Sequence, residues 1–211
     1  MTNPGELPSP KDAIPSFKLE TFDPSKTSWR KARKDVIDLE KANFGDNGDD
    51  EKSLREGFVN TQNTIVVVKD EDRIIGYTLA KPAQVLYEEE SDWEAFRGRE
   101  ASTDTAYIYN TVLAPEYQGK GYVAQMYAGL DQALLSKGYK RIHRDSAVEN
   151  GLAANILKNN QGKIISNFEH DSPYGRQMFI DMWIQSPSEA NIAETAESSR
   201  VFLNDLREQG E

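Results

Sequence analysis

The chain alternates between segments whose apolar residues recur every second position and segments in which they recur every three or four positions. Residues 17–21 show the two-residue period of a short strand. Residues 29–44 show helical spacing up to Gly45, and residues 50–59 carry a weaker pattern of the same kind. The first part of the chain therefore predicts one strand followed by two helices.

The middle of the chain predicts a hairpin, formed by residues 64–68 and 73–79 around a polar turn. The acidic segment 82–106 follows and is predicted to be a long connection, either functional or disordered. After it, the same criteria predict a strand at 107–113, a helix from 123 to Lys137-Gly138, a strand at 140–147, a helix at 150–160 and strands at 163–168 and 176–184. This order is typical of an α/β fold in which helices flank a mixed, mostly antiparallel central sheet.

The two ends of the chain differ from this central part. Residues 1–14 are rich in proline and are predicted to be a flexible leader, residues 15–185 one domain, and residues 186–211 an added C-terminal helical extension. We find neither the basic start and apolar stretch of a secretory signal nor an apolar run long enough to span a membrane. We therefore expect a cytoplasmic protein, and the sequence allows a monomer or a homodimer.

Composition removes several classes of function. The 211 residues include 35 acidic and 25 basic side chains, a net charge of −10, which disfavours nucleic acid and anionic lipid and favours amine-bearing partners. There is no cysteine, so disulfides, thiolate metal sites and a cysteine nucleophile are impossible. The two histidines, His143 and His170, are too few and too far apart in sequence to predict a metal site. We expect His143 on a strand face and His170 in a hairpin loop.

A polar, glycine-bearing loop separates the strand at 107–113 from the next helix. Gly119 and Gly121 allow a tight turn and a close approach of the backbone to a ligand, and Lys120 adds a positive charge. Free N–H groups at the start of the helix form an anion site, for which a pyrophosphate is a suitable ligand. The spacing matches neither a Walker loop nor a dinucleotide fingerprint, and a glycine-rich turn alone leaves phosphate binding open.

The residues of this loop resemble a known family. Gln118-Gly119-Lys120-Gly121-Tyr122-Val123 is similar to the signature Gln/Arg-x-x-Gly-x-Gly/Ala of the GNAT superfamily of N-acetyltransferases. Asn150, Ala153, Ile156 and Leu157, followed by Gly162, resemble the later helix of that family. The resemblance in element order covers roughly residues 15–184.

The resemblance implies a GNAT-like fold and acetyl-CoA as co-substrate, with direct attack by a primary amine on the thioester in a ternary complex. The acceptor would be a small cationic amine or a peptide amine. The residues that the resemblance assigns to acetyl-CoA are Val112, Leu113, Ala114, Gln118, Gly119, Lys120, Gly121, Tyr122, Val123, Ala124 and Asn150.

Two departures from the family pattern keep a second interpretation open. Val123 stands where the family usually has Gly or Ala, so its side chain must point away from the pyrophosphate. The later helix offers Leu157 or Lys158 where relatives often carry a tyrosine that protonates the leaving thiolate. A non-catalytic CoA-binding or interaction module with the same fold therefore remains the alternative, and a nucleotide-binding protein fits less well.

The remaining candidates are single residues. For proton transfer we consider Tyr107, Glu149 and Tyr127, with Asp145, Asp104 and Tyr174 as further possibilities. For a cationic acceptor, the acidic and aromatic residues Glu89, Asp92 and Trp93, together with Tyr174, could supply charge and cation–π attraction. Each of them could equally be a solvated or core residue.

Overall fold

The computed structural model describes residues 17–91, 96, 101–149, 151–172 and 175–185. The strands are β1 (Phe17–Thr21), β2 (Thr64–Asp70), β3 (Arg73–Pro82), β4 (Thr105–Leu113), β5 (Arg141–Ala147), β6 (Ile164–Ser172) and β7 (Gly175–Trp183). The helices are α1 (Trp29–Phe44), α2 (Glu51–Val59), α3 (Ala83–Glu89), α4 (Tyr122–Ser136) and α5 (Leu152–Asn159). The predicted leader, the Asp92–Trp93 pair, Asn150, Tyr174 and the predicted C-terminal helix lie outside the described residues.

The element order predicted from the pattern is confirmed, with two differences. The segment 82–106 contains the short helix α3, which its mixed pattern did not predict. Strand β6 continues to Ser172, so His170 lies in a strand and the expectation of a loop position is wrong. The strand continues because its backbone pairs with β7 as far as Ser172 opposite Gly175.

The seven strands form one sheet in the order β1-β2-β3-β4-β5-β7-β6. Neighbouring strands are antiparallel except β4 and β5, which run parallel. The predicted α/β fold class, with a mixed and mostly antiparallel sheet flanked by helices, is therefore confirmed. Within the described residues, no helix is both long enough and apolar enough to cross a membrane.

Helices α1, α2 and α3 cover one side of the sheet, which we call the α1 face. Val36 and Leu39 of α1 and Phe58 of α2 are almost fully buried against β2 and β3. Tyr87 of α3 packs in a smaller cluster with Tyr107 of β4. Burial of these side chains, rather than intrinsic propensity, stabilises short helices such as α3.

Helices α4 and α5 cover the opposite side, the α4 face. Leu130 and Leu134 of α4 pack with Ile156 of α5 over Ile142 and Ile180 of the sheet. The last two lie on paired strands and are almost fully buried. The glycine-bearing loop joins the end of β4 to the start of α4, so the packing of α4 on the sheet holds this loop at the carboxyl end of β4.

Strand β4 contains an irregularity at its centre. Leu79 pairs with Asn110 whereas Ala80 pairs with Ile108, so Tyr109 has no partner on β3. Such a bulge bends a strand and redirects its side chains. Here it places Tyr107, Tyr109 and Asn110 all toward the α1 face, where Tyr109 packs against its core clusters.

Candidate active site

Strands β4 and β5 separate in the middle of the sheet. Their parallel pairing spans only residues 105–107 of β4 and 141–143 of β5, although β4 continues to Leu113 and β5 to Ala147. Beyond Tyr107 the facing edges are therefore unpaired with each other. The result is an opening, which we call the β4–β5 opening, between the carboxyl ends of two central strands.

The backbone of β4 directs hydrogen-bond donors into this opening. Ala114 donates its N–H to Ile75 of β3 at 2.8 Å, and in antiparallel pairing the direction of the N–H groups alternates along the strand. Val112 and Ala114 therefore turn their N–H groups toward β3, and Thr111 and Leu113 turn theirs toward the opening. Leu113 is one of the residues predicted to bind acetyl-CoA, and Thr111 is not.

The loop after β4 presents further amide groups. Gly119 and Gly121 have φ values of 73° and 82°, in the left-handed region that favours glycine. In the described part of the chain, the N–H groups of Gly119, Lys120 and Gly121 donate to no acceptor. Gly121 precedes the first residue of α4, so the N–H groups of the first turn of α4 also lack helical partners.

These amides and the helix dipole form an anion site. Lys120 is exposed beside them, which adds a positive charge. A Cβ atom added to either loop glycine would meet no heavy atom within 4 Å, so the space above the backbone is open. The residues present therefore fit the diphosphate of a coenzyme A molecule.

One of the predicted loop residues, Gln118, has a different role, whereas Val123 has the predicted side-chain direction. Gln118 donates its backbone N–H to Pro115, and its side-chain amide to Leu113 O and Asn43 Oδ1 at 3.0 and 3.1 Å. These bonds occupy its N–H groups inside the protein, so Gln118 shapes the loop instead of binding the ligand through them. Val123 packs its side chain against an apolar cluster of the α4 face, which leaves its N–H at the anion site as the sequence required.

Tyr107 is almost fully buried and donates its hydroxyl to Asp145 Oδ2 at 3.0 Å. Burial, followed by the charge of Asp145, raises the pKa of Tyr107 well above its ordinary value of 10.0. Tyr107 therefore stays protonated at neutral pH. Its one hydroxyl hydrogen is donated to Asp145, and it cannot act at the opening as the predicted base.

Tyr127, on α4, lies on the other face of the sheet. Its hydroxyl accepts a hydrogen bond from Arg144 at 2.7 Å, and the Arg144 guanidinium lies 4.6 Å from its ring centre. Arg144 is buried and is the first residue of β5 beyond the part paired with β4. The pair therefore lines the α4 side of the β4–β5 opening.

Two further candidates, Glu149 and Glu89, are on the surface. Glu149 is exposed beyond the end of β5 and lies 3.7 Å from Arg176. Glu89, predicted to bind the acceptor, is exposed at the end of α3 and lies 3.6 Å from Lys81. Both carboxylates are matched by a cation, which is the ordinary arrangement of a solvated surface.

The comparisons with known proteins agree with this geometry. The family model for the acetyltransferase (GNAT) family matches residues 29–158, more than half of the chain. The chain belongs to the GNAT acetyltransferase family. It is therefore an N-acetyltransferase, and acetyl-CoA is its co-substrate.

Solved structures show the same fold at low sequence identity. The aminoglycoside 6'-N-acetyltransferase from Enterococcus faecium is 11% identical, with a TM-score of 0.57 over 82% of this chain and 99% of that one. The ribosomal-protein-S18-alanine N-acetyltransferase from Escherichia coli is 14% identical, with a TM-score of 0.52 over 82% and 97%. The PaiA N-acetyltransferase from Thermoplasma acidophilum, solved with coenzyme A, is 12% identical, with a TM-score of 0.53 over 79% and 98%. A search of the curated proteins finds no match.

In this GNAT chain the α1 face carries polar groups that the sequence did not single out together. Glu40 of α1 is buried and accepts hydrogen bonds from Tyr77 at 2.7 Å, from Asn110 and from the Asp49 N–H. Tyr109, at the bulge, donates to Asp49 at 3.2 Å. Burial raises the pKa of the Glu40 carboxyl and of the Asp49 carboxyl. The network fixes α1 to the bulge of β4.

On the α4 face of this GNAT chain, the carboxyl group of Asp131 lies in an environment that disfavours its charged form. Burial raises the pKa of Asp131 from 3.8 to about 6, although Lys163 and Arg144 act in the opposite direction. The folded chain therefore binds a proton more tightly than the unfolded chain. Stability falls as the pH rises from about 4 to about 6, where the folded carboxyl ionises.

We expect Asp131→Asn to stabilise the chain at pH 7, because the amide has no charge to bury. A shift of about two units would correspond to about 3 kcal/mol, but the side chain is only partly buried, so we expect about 1 kcal/mol. Urea unfolding at pH 7 and at pH 4 measures the difference, which should vanish at the lower pH. A variant less stable than wild type at pH 7 would contradict the assignment.

Proposed function

We propose that the chain transfers the acetyl group of acetyl-CoA to a primary amine by direct attack in a ternary complex. The supporting observation is the β4–β5 opening, with the Thr111 and Leu113 amides at its edge and the free amides of Gly119 to Gly121 at its end. An acetyl-CoA whose diphosphate lies on those loop amides can extend its pantetheine arm between β4 and β5. The thioester would then lie beside β4.

Polarisation of the thioester carbonyl is the chemical step that this geometry favours. An N–H group of β4 directed into the opening can donate to the carbonyl oxygen and stabilise the negative charge that develops there. Holding both reactants in one opening supplies the second contribution, because it removes the entropy cost of their encounter. No covalent enzyme intermediate is required, in keeping with a chain that lacks cysteine.

A cationic amine is the acceptor class that the charge of the chain favours. The net charge is −10, and the α1 face carries the carboxyl groups of Glu40 and Asp49 near the bulge of β4. Because these carboxyl groups lie on the α1 face, the acceptor is expected to enter from that face. Among the structural neighbours, one is named for acetylation of an aminoglycoside and another for acetylation of a protein alanine. Both types of amine are therefore included in the assay below.

Thermal unfolding with acetyl-CoA, ATP or NAD tests the first part of this proposal. A ligand at 100 times its Kd stabilises a folded protein by about 2.7 kcal/mol, so acetyl-CoA should raise the melting temperature by several degrees. ATP and NAD should have smaller effects. A larger shift with ATP would instead favour the nucleotide-binding interpretation.

Release of free thiol from acetyl-CoA tests the catalytic part. Ethylamine, spermidine, kanamycin and a peptide with an N-terminal alanine sample small, cationic and peptide amines. We expect release above the hydrolysis background with at least one of them. Stabilisation by acetyl-CoA without thiol release from any amine would favour the non-catalytic CoA-binding module.

A further inference from the structure

Three side chains from three strands form a hydrogen-bonded array on the α1 face. Asp145 of β5 accepts from Tyr107 of β4 at 3.0 Å on one oxygen and contacts His170 Nε2 of β6 at 2.9 Å with the other. The side chains of His170 and Asp145 are 5% and 14% exposed. We call these residues the Tyr107–Asp145–His170 array.

The array begins at the β4–β5 opening. Tyr107 is the last residue of β4 that pairs with β5, opposite His143. Asp145 lies beyond His143 on the unpaired part of β5, with its side chain on the same face. The proposed function brings the acceptor in from this face, so its amine would reach the thioester past Asp145.

The other carboxyl groups of this face are already engaged in the described structure. Glu40 accepts hydrogen bonds from three neighbours, and Asp49 accepts one from Tyr109. Asp181 is bound by Arg141 and lies 3.3 Å from His143. Asp145 is also engaged, but it differs from these carboxylates because it lies on the part of β5 that borders the opening.

We propose that Asp145 takes the proton from the ammonium form of the acceptor, with Tyr107 and His170 as positioning residues. The inference rests on the proposed function. The ammonium gives one proton to Asp145, and the neutral nitrogen forms the new C–N bond while the C–S bond breaks. The sulfur leaves with the electron pair and takes the second N–H proton, which gives the amide and free CoA. Asp145 returns the first proton to solvent before the next turnover.

The contacts of His170 suit a positioning role. Its Nε2 lies 2.9 Å from Asp145 Oδ1, a distance that requires a hydrogen between the two atoms, so the Nε2–H group donates to the carboxylate. This hydrogen bond fixes the orientation of the Asp145 carboxylate. Tyr107 keeps its own proton and holds the second oxygen of Asp145 in place.

Two amines of similar shape and different charge distinguish the effect of proton removal on the rate from every other effect of the substitution. Ethylamine is mainly an ammonium ion at pH 7, whereas 2,2,2-trifluoroethylamine is mainly neutral and has almost the same shape. We expect Asp145→Asn to lower thiol release with ethylamine by about 100-fold, the usual size of general base catalysis. With trifluoroethylamine we expect a loss below about 5-fold, because no base is then needed. The KM for acetyl-CoA should not change.

Two substitutions of His170 give a second readout. His170→Ala removes the N–H group that holds Asp145 and should lower the rate with ethylamine by about 10-fold. His170→Gln keeps an N–H donor at this position and should restore part of that rate. The other titratable or charged groups near the array are Tyr87, His143, Asp181 and Arg141 toward the centre of the sheet and Glu169, Asp171 and Arg176 toward its edge.

Asp181→Asn is the matched control, since Asp181 is a buried aspartate beside the other histidine of the same face. It should change stability and leave the ratio of the two amine rates as in wild type. Equal losses with both amines in Asp145→Asn, or no loss with either, would overturn the inference. If wild type binds acetyl-CoA and releases no thiol with any amine of the panel, the proposed function itself fails, whereas release that is equally reduced for both amines in Asp145→Asn overturns the inference alone.

Discussion

Replacing Gly121 by valine is expected to lower the affinity for acetyl-CoA by at least about 100-fold, an effect of about 2.8 kcal/mol or more. Gly121 has a φ of 82°, and a β-branched residue is strongly disfavoured there. The backbone can relieve the strain only by turning the loop, which moves the amides before and after Gly121 away from the diphosphate. The loss of two hydrogen bonds to a charged ligand accounts for the expected size.

Gly138→Val supplies the matched control for this prediction. Gly138 has a φ of 90°, follows the other end of α4 and, like Gly121, has open space around a Cβ. Both variants should lose about 1–2 kcal/mol of stability from the same backbone strain. Only Gly121→Val should lose acetyl-CoA binding in isothermal titration calorimetry. Equal affinities of the two variants would show that the loop does not hold the diphosphate.

The conformation of the glycine-bearing loop could be predicted from the sequence because its information is local. Two glycines at fixed spacing before an amphipathic pattern specify a turn and a helix start, and residues 119–124 need no distant partner to do so. The role of Gln118 could not be predicted in this way. Its side chain is bound by Asn43, 75 positions earlier, and that contact depends on how α1 docks on the sheet.

Helix α3 was missed for a related reason. It is two turns long and has Leu86 and Tyr87 as its main apolar residues, too few to show a period. Its position depends on packing over β4 and on the stacking of Tyr87 against Phe96 and His143. A short helix that is stabilised mainly by tertiary contacts has only a weak helical pattern in its own sequence.

The Tyr107–Asp145–His170 array could not be predicted from the sequence either, although the sequence analysis named each of its three residues. The array requires β7 to lie between β5 and β6, and it requires a register that places His170 within reach of Asp145 across β7. Strand order and register are set by the whole sheet. The polar run Glu169-His170-Asp171 moreover resembles a loop, because an outer strand has one solvated edge and face.

Glu40→Ala is expected to cost about 3–4 kcal/mol of unfolding free energy, the largest stability effect that we predict from a single side chain. Glu40 is 3% exposed and accepts hydrogen bonds from the Tyr77 hydroxyl, the Asn110 side chain and the Asp49 N–H. Its removal leaves these buried donors without an acceptor and opens a cavity between α1 and β4. Urea unfolding at pH 7 measures the loss.

The pH dependence separates the charge of Glu40 from its hydrogen bonds. Burial raises the pKa of Glu40, so the folded chain favours the protonated form and loses stability as the carboxyl ionises above about pH 4. Glu40→Gln keeps an acceptor and has no charge, so it should cost less than Glu40→Ala and show a flatter pH dependence of stability. Glu51→Ala, which removes an exposed carboxylate paired with Arg33, should cost less than about 1 kcal/mol. If Glu40→Ala cost no more than Glu51→Ala, the network could not be what fixes α1 to the bulge of β4.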